Sequence, residues 1–595
     1  ITEMRKSGLN IMMSMKAEAK PVSFVEDCAV ELSDLAEYTD QLTRIFEKYG
    51  TTGTWYAHAS VGCLHVRPVL NMKRGEDVAA MRGIAEETFD LVKRYGGSHS
   101  GEHGDGIARS EFNAVMFGPK MAGLFADVKQ MFDPQNIMNP GKITNAPKMD
   151  DRHLFRFAPG YKVNSFPTKL NWSAWPGAAG GLQGAVEMCN NNGNCRKLTG
   201  GVMCPSFRVT RNEIDSTRGR ANSLRLALSG QLGADALASP DMAETMKLCV
   251  SCKACKRECP TGVDMARMKI EVTALQAEKN ELSWHDKLIA HIPDYAAYAA
   301  WLAPVLRLRD MIPGAAWISE KIIGFTAKRP LPKWQRNWFR PDELPATPSH
   351  GGAPVILFAD TFNRYLEPEN LRAAVRVLRA AGYDVFAPLP TKAKQPLCCG
   401  RTFLSTGMVD RARAEARRLV TTFLPFAEAG IPIIGLEPSC LLALRDEVPA
   451  LLNDAAAAKV AEMALTFEEL LSRDKPKIPL KKATGKALLH GHCHQKAFDV
   501  VRPIEEVLSW IDGLEVTSIE TSCCGMAGAF GYGISSYDIS MQMANANLLP
   551  AIRNADPDHL IIADGTSCRC QIKDGAQRTA KHVALVLDSH LEDID

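Results

Sequence analysis

Between Leu32 and Tyr49 apolar residues recur every three to four positions, which predicts an amphipathic helix, and from Thr54 to Val69 the pattern becomes strand-like. Helices and short strands alternate in this way over residues 1–150, so an α+β domain is expected there. The string Asp133-Pro134-Gln135-Asn136-Ile137-Met138-Asn139-Pro140-Gly141-Lys142 closes it, because prolines and a glycine stop regular structure. Residues 151–185, rich in Pro, Gly and Trp, read as an ordered but irregular linker. Helical pattern resumes over 186–290, for example from Thr217 to Gln231, and continues through a connector at 291–350. Beyond it, Val355-Ile356-Leu357-Phe358, Cys398-Cys399-Gly400 and Ile433 to Cys440 recur in order as Ala487-Leu488-Leu489-His490, Cys523-Cys524-Gly525 and Leu560 to Cys568. This degenerate repeat predicts two related α/β units, at 351–475 and 476–595.

The nearest approach to a membrane span, Tyr295 to Trp317, is interrupted by Arg307, Arg309, Asp310 and Pro313. The basic, aromatic stretch Lys328 to Trp334 reads first as a solvated linker, since polybasic anchoring needs a denser charge cluster or a second signal. A cytoplasmic protein is expected, at most peripheral at the inner membrane. The chain opens on Ile1 and enters the helix-and-strand pattern at once, which reads as the interior of a longer polypeptide. Its 595 residues imply several domains, each with its own core. With 70 basic against 68 acidic residues, the net charge of +2 gives no global field for nucleic acid, and none is expected as a partner. The 17 cysteines are clustered, and two pairs are adjacent, which points to metal ligands in a reducing compartment.

The most specific motif is Cys249-Val-Ser-Cys252-Lys-Ala-Cys255-Lys-Arg-Glu-Cys259-Pro260, which is similar to the C-x-x-C-x-x-C-x-x-x-C-P run of two-cluster ferredoxins. A structural zinc site is the competing reading. A partner motif, Cys189-Asn-Asn-Asn192-Gly193-Asn194-Cys195 with Cys204-Pro205 beyond it, has Asn192 where a cysteine belongs. By the ferredoxin crossing rule, Cys249, Cys252, Cys255 and Cys204 make one complete 4Fe-4S site, and Cys189, Cys195 and Cys259 make a three-thiolate site. The second could hold a 3Fe-4S cluster, a 4Fe-4S cluster with a non-cysteine ligand, or nothing.

Residues 186–595 resemble the iron–sulfur subunits of glycolate oxidase, anaerobic glycerol-3-phosphate dehydrogenase and heterodisulfide reductase, which carry Cys-Cys-Gly repeats after a helical ferredoxin. That resemblance implies a third cluster at Cys493, Cys523, Cys524 and Cys568, left open against a purely structural thiol set. The first copy departs from the family: Thr361 stands at its leading cysteine, leaving Cys398, Cys399 and Cys440.

A second constellation precedes the cysteines, in His58-Ala-Ser-Val-Gly62-Cys63-Leu64-His65 and Ser100-Gly101-Glu102-His103-Gly104-Asp105-Gly106. Two histidines and a carboxylate suit a divalent transition metal, provided Gly62 bends the chain so that His58 and His65 converge. Unrelated histidines are the alternative. These segments, closed by Asn139-Pro140-Gly141-Lys142, resemble the C-terminal cap domain of FAD-dependent 2-hydroxyacid dehydrogenases of the vanillyl alcohol oxidase type. The resemblance implies that His58, His65 and Glu102 bind a metal, zinc or manganese, and that His103 is the catalytic base. It further implies that Arg5 and Asn139 bind substrate, and that FAD is held mostly by an N-terminal part of the same polypeptide. Val61 and Cys63 replace an Asp and an Asn of the family pattern.

The fold class expected is therefore multidomain α+β: the cap domain, an α-helical ferredoxin and two α/β Cys-Cys-Gly units. The order resembles the large bacterial FAD and iron–sulfur D-2-hydroxyacid dehydrogenases. This implies oxidation of D-2-hydroxyglutarate first, with D-lactate or glycolate as alternatives, and electrons leaving to a quinone or electron-transfer protein. A non-catalytic electron-transfer subunit and a disulfide reductase are the readings from other classes, and homo-oligomerisation is left open.

Overall fold

A computed structural model describes residues 8, 10–162, 164, 166–178, 180–348, 351–389 and 395–592. The chain forms two compact units, Ile1–Asn164 with Trp175–Gly184, and Ser165–Ala174 with Ala185–Asp595.

The first unit carries two small antiparallel sheets. In chain order the strands are β1 (Lys20–Pro21), β2 (Cys28–Ala29), β3 (Gly53–Thr54), β4 (Ala57–His58), β5 (Cys63–Leu64) and β6 (Arg67–Leu70), paired as β1-β6-β3 and β2-β5-β4. The continuous strand-like stretch from Thr54 to Val69 is thus cut into four short pieces. The cut between β4 and β5 is made by Gly62, whose φ of +68° is left-handed and whose absent Cβ would sit 1.9 Å from the Val30 carbonyl oxygen. Only glycine fits there, and the tight turn pairs His58 with Cys63. The predicted helix runs Leu35–Lys48 and presents Tyr38, Leu42 and Phe46 to a core shared with Ile84, Ala85 and Phe89 of the helix Gly75–Arg94.

The second unit begins with short helices around the cysteine motifs. The helix Thr217–Leu228 ends three residues before the predicted Gln231. The helix Met265–Lys279 buries Glu271, whose carboxylate accepts from Lys169 N, Leu170 N and Trp172 Nε1 at 2.7 to 2.9 Å and so ties down the incoming chain. Because peptide and indole donors share that one buried carboxylate, the segment is ordered despite lacking regular structure. Among the described residues no helix is long and apolar enough to cross a membrane. Within the basic stretch, Arg329 is buried between the rings of Tyr532 and Tyr537, and Lys328 pairs with Asp538 at 2.8 Å. Those charges serve packing.

Two four-stranded parallel sheets follow. The strands β7 (Ala353–Phe358), β8 (Tyr383–Phe386), β9 (Ile433–Gly435) and β10 (Ala464–Thr466) take the order β10-β9-β7-β8. The strands β11 (Gly485–Leu489), β12 (Leu514–Ser518), β13 (Leu560–Ile562) and β14 (Ala580–Lys581) repeat it as β14-β13-β11-β12. Strands covered on both faces read as unbroken apolar runs, as in Val355-Ile356-Leu357-Phe358, all of it buried. One core joins the copies: Leu357, Leu378 and Ile434 cluster with Leu489, Ile562 and Leu587. All the cysteines of the two motifs lie beyond the carboxyl ends of the strands, where open α/β sheets place their binding crevices.

Candidate functional site

The turn at Gly62 brings His58 and His65 onto one carboxylate. His58 Nε2 lies 3.0 Å and His65 Nε2 lies 2.8 Å from the same Glu102 Oε1. His65 is 2% exposed, and its Nδ1 is 2.7 Å from the Glu26 carbonyl, which can only accept, so Nδ1 carries the proton. A neutral ring in that tautomer turns a lone pair toward Glu102, and His65 Nε2 indeed meets no hydrogen-bond donor. Two lone-pair atoms held this close call for a proton or a metal cation between them. The donors, two imidazole nitrogens and a carboxylate oxygen within 4.8 Å of one another, fit a divalent transition metal.

His103 stacks on His65 with ring centroids 4.5 Å apart and planes inclined by 7°. Its Nδ1 faces the Glu26 carboxylate at 3.6 Å and its Nε2 faces Glu102 at 3.6 Å, and the ring is partly open to solvent. Burial pushes the Glu26 carboxyl up, but the Ser23 hydrogen bond and the Arg67 charge outweigh it and hold the group below the usual carboxylate range, with His103 helping. The loop is held by Asp27, wholly buried, which accepts from Gly101 N and Glu102 N at 2.9 Å, from His103 N at 3.1 Å and from Arg109 Nη2 at 3.1 Å. Cys63 Sγ lies 4.0 Å from Asp27 Oδ1, whereas Val61 is exposed. Asn139 sits on an exposed turn with φ of 50°, its Oδ1 3.4 Å from Lys142 Nζ. Arg5 lies outside the described residues.

In the second unit, Cys204, Cys249, Cys252 and Cys255 line one cavity together with Thr217 and Met265. Backbone N–H groups point at the sulfurs: Thr217 N is 3.0 Å from Cys204 Sγ and Met265 N is 3.3 Å from Cys255 Sγ. Such bonds favour thiolate and tune cluster potential, so the cavity fits a cysteine-bound cluster. The loop takes left-handed backbone at Ser251 and Lys253, with φ of 50° and 60°. Lys253, though 2% exposed, is held by Asp446 at 2.7 Å and Glu447 at 2.5 Å.

Cys195 accepts from Arg218 N at 3.4 Å, and a hydrogen bond from Cys204 pulls its thiol down to about 6. Cys204 therefore stands between the two groups of cysteines. Cys259 Sγ lies 3.5 Å from Thr261 Oγ1. Asn192, which fills the missing cysteine's place in the motif, bonds Asn190 Oδ1 at 2.6 Å and Asn194 N at 2.8 Å on the surface. The amide that reaches Cys189 Sγ, at 3.8 Å, is that of Asn191.

The two Cys-Cys-Gly sites share geometry. Gly525 has φ of +82° and a Cβ on it would lie 2.3 Å from the Ser540 carbonyl oxygen; Gly400 has φ of +78°. The left-handed turn aims each glycine N–H at the first cysteine of its pair, at 3.4 Å for Cys523 and 3.5 Å for Cys398. In the second copy, Cys524 and Cys568 sulfurs are 3.5 Å apart, and hydrogen bonds from Cys523 and Cys568 hold Cys524 well below the ordinary thiol range. Cys493 is drawn down to about 6 by a hydrogen bond from Cys523. In the first copy, Thr361 bonds Cys398, and Cys399 is held well above the ordinary range, where Cys440 and burial outweigh the Cys398 bond.

Glu26, Asp27, Asn191 and His490 were missed from sequence. The one available signal for the first two was an acidic pair inside the apolar run Phe24 to Val30.

Residues 1–143 match the C-terminal domain of FAD linked oxidases, 185–263 a 4Fe-4S dicluster domain and 360–445 a cysteine-rich domain. The chain is 26% identical over 624 residues to a D-2-hydroxyglutarate dehydrogenase of Pantoea ananatis, covering 96% of this chain and 59% of that protein. It is 27% identical over 626 residues to one of Pseudomonas putida, covering 97% of this chain and 60% of the relative. The glycolate oxidase iron-sulfur subunit of Escherichia coli is 24% identical over 407 residues, which is 65% of this chain and 91% of that one. The chain thus spans about three-fifths of the length of the D-2-hydroxyglutarate dehydrogenases it matches.

Proposed function

We propose that this chain is part of a polypeptide that oxidises a D-2-hydroxyacid at FAD and passes the electrons through iron–sulfur clusters to an external acceptor. D-2-hydroxyglutarate, giving 2-oxoglutarate, is the first substrate to test, with D-lactate and glycolate as alternatives. The observation that carries this reading is the shared Glu102 oxygen between His58 and His65, with His103 stacked beside it, in a segment matching an FAD linked oxidase domain. The relatives named D-2-hydroxyglutarate dehydrogenase support the substrate class.

His58, His65 and Glu102 would hold a divalent cation, zinc or manganese, whose chemistry is to polarise the substrate hydroxyl. FAD supplies a two-electron acceptor, and 4Fe-4S clusters supply one-electron carriers. His103 takes the hydroxyl proton at Nε2, while the Glu26 carboxylate behind Nδ1 steadies the charged ring. Asp27 positions the loop by fixing three successive N–H groups. Arg5 is assigned to the substrate carboxylate, its guanidinium being suited to a bidentate grip, and Asn139 to substrate binding.

Residues 1–150 act in this reading as the vanillyl alcohol oxidase-type cap, and 186–290 as an α-helical ferredoxin. Cys204, Cys249, Cys252 and Cys255 hold a 4Fe-4S cluster, and Cys189, Cys195 and Cys259 form a second site. Residues 351–475 and 476–595 are the Cys-Cys-Gly units. The partners are the N-terminal FAD-binding part and a quinone or electron-transfer protein. Exposed Trp301, Met311, Trp317 and Ile322 support peripheral contact with the membrane that holds a quinone.

The test uses the full-length polypeptide and its His103→Ala variant. Removing a general base costs about 10²–10⁴ in turnover, so the variant is expected to keep its flavin yet reduce dye at that fraction of the rate. Full activity in the variant would support a non-catalytic electron-transfer subunit instead. No dye reduction by the unaltered protein with any of the three substrates would end the reading.

A further inference from the structure

The donors around Cys524 outnumber the thiols of its motif. His490 lies one residue past β11, is 1% exposed, and places Nδ1 3.0 Å from Thr521 Oγ1. Its Nε2 is fully buried with no partner at hydrogen-bond geometry, and the ring interacts with the Cys524 thiol. A ring nitrogen of His490 and the sulfurs of Cys524 and Cys568 lie within 4.8 Å of one another, the two sulfurs 3.5 Å apart. Ligands bound at 2.0–2.3 Å to one metal stand about 3.5–4 Å from each other, which is the separation of the two sulfurs.

Charge agrees with this. The Lys496 ammonium, anchored on Thr521 O and Oγ1 at 2.8 Å, interacts with Cys493, Cys523, Cys524 and Cys568 together. Strand register points the same way. Counted from the following cysteine or its replacement, His490 corresponds to Phe358 and Cys493 to Thr361. The first copy has neither the imidazole nor the thiol, as expected where both serve one centre. The site also abuts the ferredoxin run: Cys493 acts electrostatically on Cys252, and His494 Nε2 is 3.1 Å from the Ser251 carbonyl.

We propose that the second Cys-Cys-Gly unit holds an iron–sulfur centre in which His490 Nε2 is a metal ligand alongside Cys493, Cys523, Cys524 and Cys568. Nδ1 then donates to Thr521 and leaves the Nε2 lone pair for iron. Five donors exceed the tetrahedral set of structural zinc, and the position beside Cys252 suits a one-electron carrier. The proposal deepens the electron-transfer part of the function above and rests on it.

The full-length protein, purified without oxygen, is analysed for iron, sulfide and zinc and by pulsed EPR for nitrogen-14 coupling. One iron signal is expected to carry directly bound imidazole nitrogen. His490→Phe, the first copy's own residue at this place, is expected to lose that signal and about two to four iron per chain, while the signal of the Cys252 cluster persists. His490→Gln gives the same reading should the phenylalanine not fit. Zinc in place of iron, or iron content and nitrogen coupling unchanged in either variant, overturns the ligand assignment. Absence of the Cys252 signal as well overturns the cluster reading beneath it, whereas failure of hydroxyacids to reduce the flavin leaves this test intact.

Discussion

The two Cys-Cys-Gly copies share a strand order, a buried core and a left-handed glycine, yet differ in the charged groups beside their thiols. Around Cys440 stand the carboxylates of Asp360 and Glu437, and the nearby Arg401 is engaged by Glu447 at 3.0 Å. Around Cys524 stand Lys496 and His490. Equivalent cysteines differ as well: against the Cys398 bond, Cys440 and burial hold Cys399 above the ordinary thiol range, whereas hydrogen bonds from Cys523 and Cys568, with His490 adding to them, hold Cys524 below it. A metal site needs thiolates, and the second copy holds two of its cysteines, Cys493 and Cys524, below the ordinary range, whereas Cys398, Cys399 and Cys440 of the first copy are all held above it.

The sharpest break of this comparison is a matched pair of variants. Cys524→Ser is expected to remove one whole metal centre, and Cys399→Ser to leave metal content unchanged; iron lost equally from both would erase the asymmetry. Restoring the missing thiol with Thr361→Cys comes next. It is expected to add no iron, because Asp360 and Glu437 still face the site, and an added centre on metal analysis would show that the thiol alone was limiting.

Smaller effects concern stability. In Gly525→Ala the new Cβ meets the Ser540 carbonyl at 2.3 Å, whereas in Gly400→Ala the nearest atom is the Ala412 carbonyl oxygen at 3.2 Å. The first is expected to cost about 2–4 kcal/mol and the second about 1–2 kcal/mol in denaturant unfolding. Equal losses would remove the close approach as the distinguishing cause.

The last effect depends on pH. Burial, with Glu437 adding to it, raises Asp360 to about 6 in the folded chain. A raised carboxyl holds its proton longer when folded, so its contribution is full below the ordinary carboxylate range and declines as pH rises to about 6. Stability of this unit is expected to fall by at most about 3 kcal/mol across that window and to level off above it. Asp360→Asn keeps an oxygen for the N–H groups of Phe362 and Asn363 and is expected to flatten the slope. A slope unchanged in the variant would assign the titration elsewhere.

Much of this architecture was legible in the chain. The helix read from Leu32 to Tyr49 runs Leu35–Lys48, and the repeat forms two sheets of one topology, because local period and order of motifs decide both. Gly62 was legible as a bend because two histidines seven residues apart cannot otherwise share a carboxylate. What depends on contacts across space was not legible. Asp27 gathers the N–H groups of residues 101–103 from a turn more than seventy positions away, and Asn191 takes the approach to Cys189 that spacing gave to Asn192. His490 lay in plain view, but only the fold turns it toward Cys524 and Cys568.

The most direct test mixes the full-length polypeptide with D-2-hydroxyglutarate in the absence of oxygen and follows flavin absorbance together with rapid-freeze EPR. The flavin is expected to bleach, and signals of reduced iron–sulfur clusters to rise with it. Bleaching with no cluster signal, or no bleaching with D-2-hydroxyglutarate, D-lactate or glycolate, would contradict the proposed function.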